Sequence, residues 1–264
     1  MAQEVLFSDL QISSNDIRIR KIGLNDLRQS LIEGYHDFNA KPSFGLFLIV
    51  MYSLFALLFT RIILGENLLY LAFPVVAGLT LIGPVVSVVL FEMSRRREQG
   101  LDLRWQSAFN FVHTSSFAPI VLLSIVMMLL YVAWVYMAQF LYFGVFGEVP
   151  PESMSVFLTD MLTTREGVGF ALYGTALGFL FAFTALAISV VAFPLLLDKP
   201  ASSFTAVSAS VRAVTTNPLT MAVWALVVVA LLAVGAALFL IGLAAILPIL
   251  GHSTWHLYRR LVED

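Results

Sequence analysis

Between Leu219 and Gly251 the chain runs for 33 residues without one charged side chain. A water-soluble domain has no way to cover such a run. A bilayer core about 30 Å thick, by contrast, is crossed by about 20 helical residues rising 1.5 Å each. The rest of the chain points the same way. Of its 264 residues, 59% are hydrophobic and 12% charged, against roughly 25% charged in a soluble domain. Mean hydropathy is +0.90. Polar surface is too scarce to coat a globule, so lipid must coat it. In lipid every backbone polar group has to be satisfied within the chain, and continuous apolar runs satisfy it as helices. The expected fold is all-α, a polytopic membrane helix bundle.

Five apolar stretches are visible: Ser43–Ile63, Leu68–Met93, Ala118–Val145, Val168–Leu197 and Leu219–Gly251. The last is long for one span, and "GAALFLIGL" near its middle offers glycines for a hairpin. It is read as two helices, the second running on to about Val262, with one long tilted helix as the alternative. Six spans result, with both termini on one side. Thirteen of the fifteen cations then fall on that side, leaving Arg61 and Arg165 opposite. By the positive-inside rule that side is cytoplasmic. The expected organisation is a polar tail over residues 1–22 and a single membrane domain over residues 23–264. The opening 40 residues lack the short apolar core of a signal peptide.

Three stretches stand just ahead of the odd-numbered spans and show helical spacing of apolar residues. They are Leu24, Leu27, Leu31, Tyr35 and Phe38; then Trp105, Ala108, Phe109 and Val112; then Phe204, Val207, Val211 and Val214. Such spacing predicts short amphipathic helices lying near the cytoplasmic surface, at a steep angle to the spans. "SAFNFVHTSSF" (Ser107–Phe117) resembles "SASVRAVTTNP" (Ser208–Pro218), and "SVVLF" (Ser87–Phe91) resembles "SVVAF" (Ser189–Phe193). A threefold repeat of one amphipathic helix and two spans follows, with units near residues 23–100, 101–200 and 201–264. Convergence of apolar text on similar words is the alternative.

Candidate chemistry is sparse. His252 and His256 lie one turn apart in "PILGHSTWHLYRRL" (Pro248–Leu261) and share a helix face. They are the metal-ligand candidates, with Glu92 as a third group and His36 and His113 as the other histidines. However, "PVVSVVLFEMSRRR" (Pro84–Arg97) lies on the same stretch without a gap. Proline matches proline, Phe91 matches Trp255, and Arg95–Arg96 match Arg259–Arg260. His252 falls on Val88 and His256 on Glu92. The shared frame is that of a membrane exit, with Trp255, Arg259, Arg260, Arg95 and Arg96 as interface anchors. The histidines are expected to bond to backbone, lipid or a neighbouring helix rather than to a metal. A carboxylate within a span is costly, and Glu92 is expected to pair with Arg95 and Arg96. Between the third and fourth spans, "PPESMSVFLTDML" (Pro150–Leu162) predicts a short helix whose apolar face includes Phe157, Leu158, Met161 and Leu162.

There is no cysteine, which excludes disulfides and thiolate chemistry. No catalytic motif is present, no cofactor is implied, and a net charge of −2 provides no field for nucleic acid. An enzyme is the less expected class. The N-terminal helix, "RAVTTNPLTMAVWALVV" (Arg212–Val228) and the ending "LPILGHSTWHLYRRLV" together resemble a bacterial multi-pass family catalogued only as a domain of unknown function. That resemblance implies an inner-membrane protein and supplies no activity. Two functions fit: a membrane protein that assembles, stabilises or regulates a complex with other membrane subunits, or a transporter or lipid-handling protein with a cavity between repeat units. Membrane lipid is an expected partner in both.

Overall fold

A computed structural model describes residues 16–41 and 69–263, together with residues 45, 49, 50, 52, 53, 56, 57 and 60. Most of the expected first span, Ser43–Ile63, and most of the polar tail lie outside the described residues. Within them the chain is helical, with no strand beyond one isolated bridge between Ile19 and Val262. Among the described residues, four stretches are long and apolar enough to cross a membrane: Phe73–Glu98, Phe117–Phe146, Arg165–Asp198 and Pro218–Ala237.

The helices form two compact units. One gathers Met1–Val50, Pro84–Ile125 and Leu186–Asp264. Its described helices are α1 (Leu24–Ala40), most of α3 (Gly83–Glu98), α7 (Ala192–Asp198), α8 (Ser203–Thr216), α9 (Pro218–Ala237) and α10 (Phe239–Leu261). The other takes Met51–Gly83 and Val126–Ala185. It holds α2 (Ala72–Gly78), the short helix α5 (Met154–Thr163), and most of α4 (Phe117–Phe146) and α6 (Arg165–Ser189).

The apolar block 219–251 is divided between α9 and α10, which turn at Leu238. The two helices approach closely at the turn. A Cβ on Gly242 would lie 2.7 Å from the Gly235 carbonyl oxygen. Upstream, α9 begins with Pro218 in its first turn, where the missing N–H costs nothing.

Prolines also mark the breaks inside long stretches. Between α2 and α3 the chain tightens into a 3₁₀ turn, Leu79–Ile82, followed by Pro84. Carbonyls near the break are taken by side chains from α4. The Trp134 indole N–H donates to the Pro74 oxygen at 2.7 Å, and Tyr131 reaches the Val75 oxygen at 3.5 Å. Thr80 bonds to its own Ala77 carbonyl, and Gln139 donates to the Tyr70 hydroxyl at 3.2 Å. Further along, α6 and α7 are separated at Val190–Val191, just ahead of Pro194. There the freed Val191 N–H donates to Ser210 on α8. In the same unit as the 3₁₀ turn, α5 is capped by Ser153 and drives Phe157 into a cluster with Tyr70 and Tyr142. The two tyrosine rings stack 4.1 Å apart. Met161 packs against this cluster, whereas Leu158 and Leu162 are exposed.

The three pre-span stretches differ from one another. The first and third are α-helices, α1 and α8, while the second is a 3₁₀ run, Trp105–His113. Each buries only part of the apolar stripe read from its periodicity: Leu27, Ala108 and Val214 are buried, most of the other stripe residues are not. On α1 the buried residues are Leu27, Ser30, Gly34 and Asp37, while Leu24 is 63% and Tyr35 50% exposed. On α8 they include Ala206, Ala209, Ser210 and Ala213, while Phe204 is exposed. Trp105 is exposed on the 3₁₀ run, beside buried Ser107 and Ala108. Small residues let helices approach closely, and a lipid solvent gives large apolar residues little reason to face inward. The expected steep angle is also corrected for α1, which runs antiparallel along the second half of α10. Asp26 lies near Arg260, Glu33 near His256 and Asp37 near His252, in that order.

Candidate functional site, a buried polar joint

Three segments distant in sequence meet near the end of α10. Small residues make the meeting possible. A Cβ on Gly34 of α1 would lie 2.8 Å from the Ser253 Cα, and one on Gly251 would strike the Leu90 side chain of α3. Gly34 stands about one turn before Asp37 and Gly251 directly precedes His252, so the close approaches set these two side chains against each other.

Asp37 is the centre of the joint and is 7% exposed. Its Oδ2 accepts from the Ser94 hydroxyl and faces His256 Nε2 at 2.8 Å; its Oδ1 accepts from Arg97. Ser94 Oγ also lies 2.8 Å from His252 Nδ1. The Ser94 proton is committed to the carboxylate, so His252 donates its Nδ1–H to the serine oxygen. The result is a directed chain, His252 to Ser94 to Asp37, met by His256 from the other side. His256 Nδ1 in turn lies 3.3 Å from Glu33 Oε2. Burial works against ionisation of Asp37, but the bonds from His256 and Ser94 outweigh it and hold its carboxyl below the ordinary range.

A ring of ion pairs surrounds the joint. Arg260 grips Glu33 through two bonds of 2.9 and 3.0 Å. Glu98 of α3 accepts from the Trp255 indole at 3.2 Å and from Arg259 at 3.1 Å. Asp198, ending α7, accepts from Tyr258 at 2.6 Å and lies 3.4 Å from Arg259. Glu92, almost fully buried, holds Arg95 by two bonds of 2.8 and 2.9 Å, with Arg96 at 3.7 Å. The pairing expected for Glu92 is thus present, and it leaves Glu92 occupied by arginines. Trp255, expected at the bilayer interface, is wholly buried against Tyr258 with its ring centroid 5.4 Å away. His36 and His113 are exposed. Among the described residues no group of three or more histidine, aspartate or glutamate side chains is arranged to hold a metal.

Serine, histidine and aspartate together invite comparison with nucleophilic catalysis, but the connectivity is wrong for it. A nucleophilic serine gives its proton to the imidazole, whereas Ser94 gives its proton to Asp37. The adjoining cavity, lined by Asp37, Lys41, Arg97 and His252, measures about 10 Å³, close to the minimum for one water. What the arrangement can do chemically is bind α1, α3 and α10 together and share protons among them. The sequence pattern singles out the two histidines and Glu92 but not Asp37, Ser94, Glu33 or Glu98. The available signal was the spacing of Leu27, Ser30, Gly34 and Asp37, a second stripe on α1 made of small and polar residues.

Residues 72–198 match the model of a family described as a predicted integral membrane protein, DUF2189, whose function is unknown. No curated protein and no solved structure matches the chain.

Proposed function

We infer that this chain, an integral membrane protein whose residues 72–198 match that family, is a non-enzymatic membrane scaffold that assembles or stabilises a complex with other membrane subunits. The observation that carries this reading is the internal use of charge. Glu33, Asp37, Glu92, Glu98 and Asp198 are each bonded to an arginine or histidine of the same unit. Apart from the Glu92–Arg95 pair, which lies within α3, these pairs fasten helices to one another. A transporter would use a helix break to line a cavity with free backbone, but here Trp134 and Tyr131 pack on the helix that leads into the break and bond to its Pro74 and Val75 carbonyls. Broad apolar faces on α4, α6 and α9 remain open for lipid or for neighbouring subunits. In this reading the chain crosses an inner membrane six times with both termini in the cytoplasm, and the three pre-span segments descend from one repeated unit.

The test is purification of the full chain in mild detergent, with native gels and cross-linking mass spectrometry. The reading expects a stoichiometric membrane complex that loses subunits when the chain is deleted. Purified chain that moves a solute or phospholipid across proteoliposomes on its own would overturn it.

A further inference from the structure

Helix α1 spends one face on α10 and leaves the neighbouring face open. Leu31, Ile32 and Tyr35 of that face stand opposite Val223 and Val227 of α9 and wall an apolar groove of about 480 Å³. That is a ligand-sized volume, since small-molecule pockets run roughly 300–1,000 Å³. Arg28 also lines the groove. It is exposed, and among the described residues it makes no hydrogen bond or ion pair.

The depth of the groove is set by how α1 is tied down. The Ile22 N–H donates to Asn217 Oδ1 at 2.9 Å, Asn217 Nδ2 donates to the Arg20 carbonyl at 3.0 Å, and Thr220 donates to the Ile22 carbonyl at 3.0 Å. These bonds pin the start of α1 to the start of α9, a stretch apolar and long enough to cross a membrane. With α9 crossing a bilayer, the groove would begin where that span begins, at the level of lipid headgroups, and extend along its first few turns.

We propose that the groove holds one acyl chain of an anionic phospholipid, with the lipid phosphate on Arg28. The apolar walls suit a hydrocarbon chain. The exposed guanidinium suits a phosphate, which it meets with two parallel N–H bonds. Basic pockets beside membrane helices recognise anionic headgroups in this way, each cation contributing to the affinity. A zwitterionic headgroup adds its own cation and loses most of that gain. The site is separate from the Asp37 joint, which lies on the α10 side of α1, and it holds whether or not the chain is a scaffold.

Native mass spectrometry of the full-length, delipidated protein, titrated with phosphatidylglycerol or phosphatidylcholine, tests the proposal. The expected result is one phosphatidylglycerol retained more tightly than phosphatidylcholine. Arg28→Gln, at an exposed position, lowers phosphatidylglycerol affinity about fivefold and leaves phosphatidylcholine unchanged. Val223→Phe, which fills the groove, lowers both, and an unchanged thermal midpoint shows that each variant is folded. Equal retention of the two lipids, no effect of Arg28→Gln, or no effect of Val223→Phe would overturn the proposal. So would a dimer that Val223→Phe dissolves, since a second copy would then be the occupant.

Discussion

Replacing Asp37 separates the charge of the joint from its shape. Asp37→Ala removes the acceptor for Ser94, His256 and Arg97 together. Removing one partner of a buried ionic set costs about 3–5 kcal/mol. Arg97 adds little of this, because its side chain is 40% exposed and water can replace the carboxylate. Asp37→Asn is milder. Its amide oxygen can take the place of Oδ2 and keep Ser94 and His256, turning the NH₂ toward Arg97. What it loses is the difference between charge-assisted bonds, about 1.5–3 kcal/mol each, and neutral ones near 1 kcal/mol, or about 2 kcal/mol in total. Unfolding of the purified protein in mixed detergent micelles, followed by tryptophan fluorescence at neutral pH, measures both. A pH series adds a second readout. Because the folded carboxyl of Asp37 is held below its unfolded value of 3.8, its stabilisation is fully present above that value and is lost as pH falls through the lower folded value. The gap between wild type and Asn should therefore close below about pH 4. If both variants match wild type, or if the gap instead widens in acid, the joint does not work as described.

Gly34→Leu should push α1 off α10, because even a Cβ at this position meets Ser253 backbone; an overpacked contact costs about 1–3 kcal/mol or more, and limited proteolysis should cut near α1 faster. Trp134→Phe should cost only about 0.6 kcal/mol, a typical value for a side-chain bond inside a membrane protein, read as a small drop in thermal midpoint. Reporter fusions after Asp264 and within Pro150–Leu162 should report opposite sides of the membrane. Metal analysis of the purified protein should find no stoichiometric zinc or copper that disappears when His252 and His256 are both replaced by alanine.

Much of this protein is legible in its chain alone. Membrane class follows from composition and from runs such as Leu219–Gly251, and both are sums over residues that need no partner. The hairpin at Leu238 and the pairing of Glu92 with Arg95 were also readable, because they join residues within a few turns of chain. The buried faces were not. Periodicity marks an apolar stripe on α1 and another on α8, and in water such stripes would turn inward. In lipid a leucine gains little by facing another helix, so Ser30, Gly34, Ala206 and Ala209, which allow backbones to approach, are buried beside Leu27 and Val214 while the rest of each stripe stays more open. The joint itself depended on tertiary structure alone. Asp37 lies 57 residues from Ser94 and 219 from His256, and nothing local in the chain marks them as neighbours. Only the close approach at Gly34 and Gly251 brings their polar atoms within bonding distance, and hydrogen bonding acts only over that distance.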